Sequence, residues 1–179
     1  ADYDGGTHED IGLALREACE ESRLRILDEA SSMDVKPRDL ACTFLLVLAG
    51  PTGSGAAHIG DGVIASRYDG MDWNWVFWPD HGEYINTTRF LTDDNALEAV
   101  RFLCSSETPS EVAVMTDGLE YLALDFGSES VFSPFFEGVI APLESAHTDD
   151  EREQLATDLG EWLGSQGLAE RVDDDLTLV

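Results

Sequence analysis

Three places in the chain deliver an aspartate into a glycine-flanked or acid-rich turn next to an apolar segment: Gly60-Asp61-Gly62, Thr116-Asp117-Gly118 and Asp173-Asp174-Asp175. A glycine beside the acid lets the backbone turn sharply or come close to an ion. A buried strand holds a carboxylate rigidly enough for it to act as a ligand. Carboxylate oxygens suit hard cations such as magnesium and manganese. Taken singly each signal is weak, because Asp-Gly is also a common hairpin turn. The three together, in this order, are far more specific. Other residue types offer less. His8, His58, His81 and His147 show no helical H-x-x-x-H spacing, so a histidine-based metal site has no support. Cys19, Cys42 and Cys104 are odd in number and widely spaced, which argues against a disulfide scaffold or zinc knuckle and reads as three buried thiols in a reducing cytoplasm.

These acids must be positioned by a chain of 179 residues, which reads as one domain over 1–179. Its 37 acidic and 10 basic residues give a formal charge of −27, and Lys36 is its only lysine. Such a surface repels phosphate backbones and anionic lipid, so no general nucleic-acid or membrane binding is expected. The acid excess reads as a solvated, salt-adapted surface or, in part, as a set of metal ligands. Apolar runs are shorter than a membrane span, and no basic segment followed by an apolar one marks a signal peptide. Ile11, Leu15, Ala18, Cys19, Ser22, Ile26 and Ala30 recur at three- and four-residue steps, which predicts a helix over 9–30. The run 40–49 predicts a strand covered on both sides. Further strands are expected at 56–68 (interrupted at 60–62), 73–78 and 111–115, with a short one at the C-terminus. Helices are expected at 93–104, 128–145 and 148–164. Antiparallel strands with helices before and after them make an α+β fold.

With these motifs in order, the chain resembles the metal-dependent protein phosphatase family (PPM, type 2C), in its bacterial branch, from about residue 9 to the end. Cys42-Thr43 resembles the family's Thr-containing strand opening, and His58 to Ala65 its GDS/GDG hairpin. Thr116-Asp117-Gly118-Leu119-Glu120 resembles its [ST]DG motif. Asp174 to Val179 is similar to its closing DN-x-T strand, with Asp175 where Asn is usual, and Gly82 to Thr92 to the segment after the substrate-flanking flap. The resemblance implies a four-layer α/β/β/α sandwich of two antiparallel sheets flanked by helices, with two or three Mg²⁺ or Mn²⁺ ions at one end. Asp117 and Asp174 would be direct ligands of the core metal centre, and Asp61 with Asp117 would serve a third, weaker position. Gly118, Asp175 and Glu83 are further candidates near the site. The implied reaction is hydrolysis of phosphoserine or phosphothreonine in a phosphorylated protein substrate by a metal-activated water. The family's bridging acid, its phosphate-binding arginine and its first strands have no convincing counterpart. Asp4-Gly5-Gly6 lies directly before the first helix, so these parts are expected upstream of residue 1.

Several residues keep a plainer reading. The aromatics Trp73, Trp75, Phe77 and Trp78 suit core and cross-strand packing better than a substrate platform. His81 and Glu83 lie in an irregular segment where substrate contact competes with a surface loop. Arg67 and Arg89 are possible phosphate contacts, with ion pairing the commoner use. Asp173 and Asp175 flank Asp174, and neighbouring strand residues point to opposite faces. Two other functions compete with the enzyme: a non-catalytic module of the same fold that binds a protein partner, and an unrelated acidic α+β domain with ordinary turns. The oligomeric state is left open.

Overall fold

The computed structural model describes residues 8–79, 88–172 and 174–179. The first helix, α1 (His8–Ser32), has Glu9 and Asp10 in its first turn, where the helix dipole favours acids. It ends without glycine: Asp34 takes the left-handed conformation (φ 55°) while Met33 and Val35 donate back to the carbonyls of Glu29 and Ala30. Of its expected apolar stripe, Ile11, Leu15, Cys19 and Ala30 are buried, and each buried Ile or Leu contributes about 1.5–3 kcal/mol.

Six strands form two three-stranded antiparallel sheets. The first has the order β1 (Phe44–Gly50), β2 (Gly53–Ile59), β5 (Arg101–Ser105), and the second the order β4 (Asn74–Phe77), β3 (Val63–Arg67), β6 (Glu111–Met115). The mixed α+β class with antiparallel sheets and helices therefore holds. Strand β2 is buried along its whole length and is made of small residues up to His58, which lets α1 lie close upon it. The second sheet packs through Val63, Ala65, Ala113 and Met115 against Leu119, Ala123, Phe136 and Leu168. These come from the turn after β6, α3 (Glu120–Ala123), α4 (Ser133–Glu144) and the short α6 (Gln166–Ala169). A two-residue ribbon, β7 (Leu124–Asp125) with β8 (Ser130–Val131), links α3 to α4. Helix α5 (Asp149–Leu163) starts at a capping box in which Glu151 N–H donates to Thr148 Oγ1 and Thr148 N–H to Glu151 Oε2. No helix among the described residues is long and apolar enough to cross a membrane.

Four local expectations are corrected. Strand β1, at an edge of its sheet among the described residues, is half-buried rather than covered on both sides, because α1 packs mainly on β2. The Gly60–Gly62 turn is not a hairpin within one sheet: it carries the chain from β2 in the first sheet to β3 in the second. Residues 93–104 form only one helical turn, α2 (Ala96–Ala99), before pairing with β2 as β5, so long-range pairing overrides local pattern. Cys104, on that strand, is exposed and Cys42 half-buried, and only Cys19 is buried. The aromatics behave as packing residues: Trp73 is buried and stacks on Phe136 at 4.8 Å, and Trp75 meets Trp78 edge-on at 5.7 Å.

Candidate functional site

The three acidic turns are brought together by strand register. Strands β3 and β6 pair with Val63 opposite Met115, so the residues just before Val63 lie beside those just after Met115. On the other side of β6 the C-terminal segment adds itself to the sheet. Met115 bridges Leu178, Val114 and Val179 exchange two backbone hydrogen bonds of 2.9 Å, and Thr116 N–H donates to the Thr177 carbonyl. Asp117 thus emerges between Asp61 on one flank and Asp174 on the other. The Thr116-Asp117-Gly118 letters have separate physical uses. Thr116 Oγ1 donates to the Asp175 carbonyl at 2.9 Å and accepts from Thr177 N–H at 3.0 Å, which stitches the last strand down. Gly118 is small because a β-carbon there would stand 2.8 Å from the Asp175 carbonyl oxygen. At the other turn Gly60 is required twice over: its φ is +116°, and a β-carbon would stand 2.3 Å from the Thr43 methyl.

Each of the three carboxylates accepts a hydrogen bond. Thr88 Oγ1 donates to Asp61 Oδ2. Gly118 N–H donates to Asp117 Oδ1 at 3.1 Å, and Asp175 N–H to Asp174 Oδ1 at 2.8 Å. Behind the Gly60–Gly62 turn, buried His58 spans the turn through Nε2 and the Gly62 carbonyl at 2.8 Å, while the Arg101 guanidinium reaches Nδ1 at 2.6 Å. Arg101 can only donate, so Nδ1 accepts and Nε2–H donates to Gly62.

Burial, then the fields of Asp61 and Asp174, raise the pKa of Asp117. The neighbouring Glu120 is buried, and desolvation followed by the charges of Asp117 and Asp61 pushes it up to about 7. These acids therefore share one electrostatic neighbourhood. Among the described residues, no group of three His, Cys, Asp or Glu side chains is close enough to hold a metal ion together. The donor chemistry still fits a hard divalent cation: all oxygen, mutually repelling, partly desolvated. Magnesium in particular takes one or two carboxylates, keeps several waters and leaves room for substrate phosphate.

Of the other expected residues, Asp175 contributes its backbone to the Thr116 stitch, with its side chain exposed. Glu83, His81 and Asp173 lie outside the described residues, as does Asp4. Arg67 is an ion-pairing residue, bound to Glu111, Glu137 and Glu144, and Arg89 pairs with Asp93. Sequence reasoning missed two participants. Glu120 figures in the sequence only as the last residue of the Thr116–Glu120 motif, and its burial is visible only once α3 is in place. The His58–Arg101 brace depends on the pairing of β2 with β5, which places the two residues opposite each other.

A profile of the family described as protein phosphatase 2C matches residues 4–164, a span that contains Asp61 and Asp117 and stops short of Asp174. The chain belongs to the protein phosphatase 2C family. Serine/threonine-protein phosphatase 3 of Escherichia coli (strain K12) is 35% identical over 161 residues, which cover 87% of this chain and 61% of that relative. The chain thus spans about three fifths of that relative's length. No solved structure matches significantly. Within this family chain, the Thr-Asp-Gly turn is the point where three separate segments meet.

Proposed function

We propose that this chain carries the catalytic acids of a metal-dependent protein phosphatase that hydrolyses phosphoserine and phosphothreonine esters in protein substrates. The observation that carries the reading is the register of the second sheet, which sets Asp61 and Asp174 on the two flanks of Asp117. Family membership and the relative's name support it. In this reading Asp117 and Asp174 hold the core Mg²⁺ or Mn²⁺ centre, and Asp61 with Asp117 a further ion. The bound cations would lower the pKa of a water molecule and neutralise charge on the phosphoryl oxygens. The chain's own contribution is orientation. Thr88 occupies one oxygen of Asp61, the Gly118 amide one oxygen of Asp117 and the Asp175 amide one oxygen of Asp174. Each carboxylate is left with its remaining lone pairs aimed by a fixed bond. The three free cysteines accord with a reducing cytoplasm.

The test is hydrolysis of a phosphothreonine peptide with Mn²⁺ and with EDTA, alongside Asp117→Asn. Turnover that needs the metal and disappears in the variant supports the reading; turnover unaffected by EDTA overturns it. The absence of a close three-ligand group among the described residues favours one other reading, a non-catalytic module of this fold that binds a protein partner. In that case the same assay gives no turnover with either addition.

A further inference from the structure

Beside the Gly60 turn lies a cavity of about 200 Å³ lined by Ile59, Gly60, Arg89, Ala99 and Arg101. At about 30 Å³ per water molecule, it has room for a phosphate-sized group. Its charge stands out from the rest of the chain. In a chain of formal charge −27 the cavity lining holds two arginines and no acid, and two more arginines contact the segment 88–102, which also carries Asp93, Asp94 and Glu98. Arg16 lies over the Phe102 ring at 4.4 Å, and Arg23 donates to the Leu91 carbonyl at 2.5 Å. Arg89 and Arg101 line the cavity itself. Arg101 is held in place on three sides, by its bond to the Trp78 carbonyl at 2.8 Å, by His58 Nδ1 and by the Phe77 ring at 5.1 Å. Arg89 is oriented by Asp93 at 3.3 Å and Asn95 at 2.6 Å, and its side chain is 43% exposed, so the cavity can be reached from solvent. Two positioned guanidinium groups over a partly buried floor suit an oxyanion.

The cavity's place relative to the acids says which oxyanion. It touches the Asp61 turn through two segments: Gly60 precedes Asp61, and Arg89 follows Thr88, whose hydroxyl binds Asp61. Neither Asp117 nor Asp174 lines it. A phosphoryl group undergoing hydrolysis between Asp61, Asp117 and Asp174 therefore leaves this cavity for the next group along the substrate.

We propose that the Arg89–Arg101 cavity is a specificity subsite that binds a second anionic group of the substrate, a carboxylate or phosphate close to the phosphorylated hydroxyl. This rests on the phosphatase reading above. A subsite of this kind would let a strongly acidic protein accept an acidic substrate despite the general repulsion of its surface.

Two measurements test it. The first is independent of turnover: inorganic phosphate is titrated into the chain in EDTA while backbone amide shifts are followed. Saturable shifts are expected at Gly60, Ala99 and Arg101. The apparent Kd should rise at least tenfold in Arg89→Met and in Ala99→Asp, which puts a competing carboxylate into the cavity while leaving both arginines in the sequence. Arg152→Met, on α5, should titrate like the parent chain. Shifts that scatter over the surface, or that ignore both variants, overturn the subsite. The second measurement compares a singly phosphorylated peptide with one carrying an adjacent second phosphate, in Mn²⁺. Arg89→Met and Ala99→Asp should raise KM at least fivefold more for the doubly phosphorylated peptide, with kcat held. An equal rise for both peptides places the reacting phosphoryl itself in the cavity and overturns the proposal. If neither peptide is hydrolysed by the parent chain, the phosphatase reading falls, and the phosphate titration still decides whether the anion pocket exists.

Discussion

Arg67 sits among Glu111, Glu137 and Glu144, whereas Asp117 and Glu120 sit beside Asp61, with Asp174 also acting on Asp117. Both regions gather carboxylates at the rim of the same sheet, and their electrostatics run in opposite directions. In the first, the Arg67 guanidinium forks onto Glu111, with one arm at 2.8 Å, and holds its carboxyl below the usual range. The other two acids come from α4, so the cluster ties that helix to β3 and β6. In the second, Asp61 and Asp174 act on Asp117, and Asp117 and Asp61 on Glu120, so that, with burial, both carboxyls are pushed up. Crowded carboxylates are therefore not one kind of feature. Where the chain supplies the cation, the cluster is a structural clasp. Where it supplies only more carboxylates, the cluster costs stability that a bound cation would return.

The contrast can be broken most severely at Asp117. Asp117→Asn should lower Mn²⁺-dependent hydrolysis of a phosphothreonine peptide by about a thousandfold, since the lost interaction with a catalytic cation amounts to several kcal/mol. Steady-state kinetics at saturating Mn²⁺ reads this directly. At the clasp the corresponding change is Arg67→Met. It leaves Glu111 half-buried without its guanidinium, and the melting temperature should fall by roughly 5 °C for a chain of this size, as followed by circular dichroism.

Glu120 gives the same contrast a pH signature. Its folded-state pKa, about 7, lies above the ordinary 4.5, so the folded chain holds this proton more tightly than the unfolded one. The associated stability is fully present below 4.5 and is lost as pH rises through about 7. Denaturant unfolding in EDTA should therefore find Glu120→Gln close to the parent at pH 4.5. At pH 8 the variant should be the more stable by on the order of 2 kcal/mol. A gap that does not change with pH would show that the carboxyl is not strained by its neighbours. The smallest effect is expected for Thr88→Val, which removes the hydroxyl that orients Asp61. Mn²⁺ affinity measured by calorimetry should weaken by about tenfold, the usual cost of losing a group that positions a ligand.

Much of the scaffold could be read from residue pattern. The stripe from Ile11 to Ala30 marks α1 because its apolar residues leave water only by packing on a sheet, and Glu111–Met115 marks β6 through its short apolar run and its Thr-Asp-Gly stop. The three acidic turns were legible as candidates for the same reason: glycine and aspartate at strand ends have few physical uses. Residues whose partners are distant were not legible. The 101–105 segment looks helical locally and becomes a strand only because β2 offers it an edge. The burial of Glu120 and the His58–Arg101 contact follow from tertiary placement, to which local periodicity is blind. The same holds for Arg67, whose three acidic partners lie 44, 70 and 77 positions away along the chain.

If Asp61, Asp117 and Asp174 form an acid-rich site that a divalent cation completes, as proposed above, thermal unfolding must respond to Mn²⁺. At about a hundred times Kd a ligand specific to the folded state adds about 2.7 kcal/mol, so the melting temperature should rise by roughly 5–10 °C over its value in EDTA. Asp61→Asn should shrink that rise and Asp117→Asn abolish it. Superimposable melting curves in millimolar Mn²⁺ and in EDTA would contradict the account.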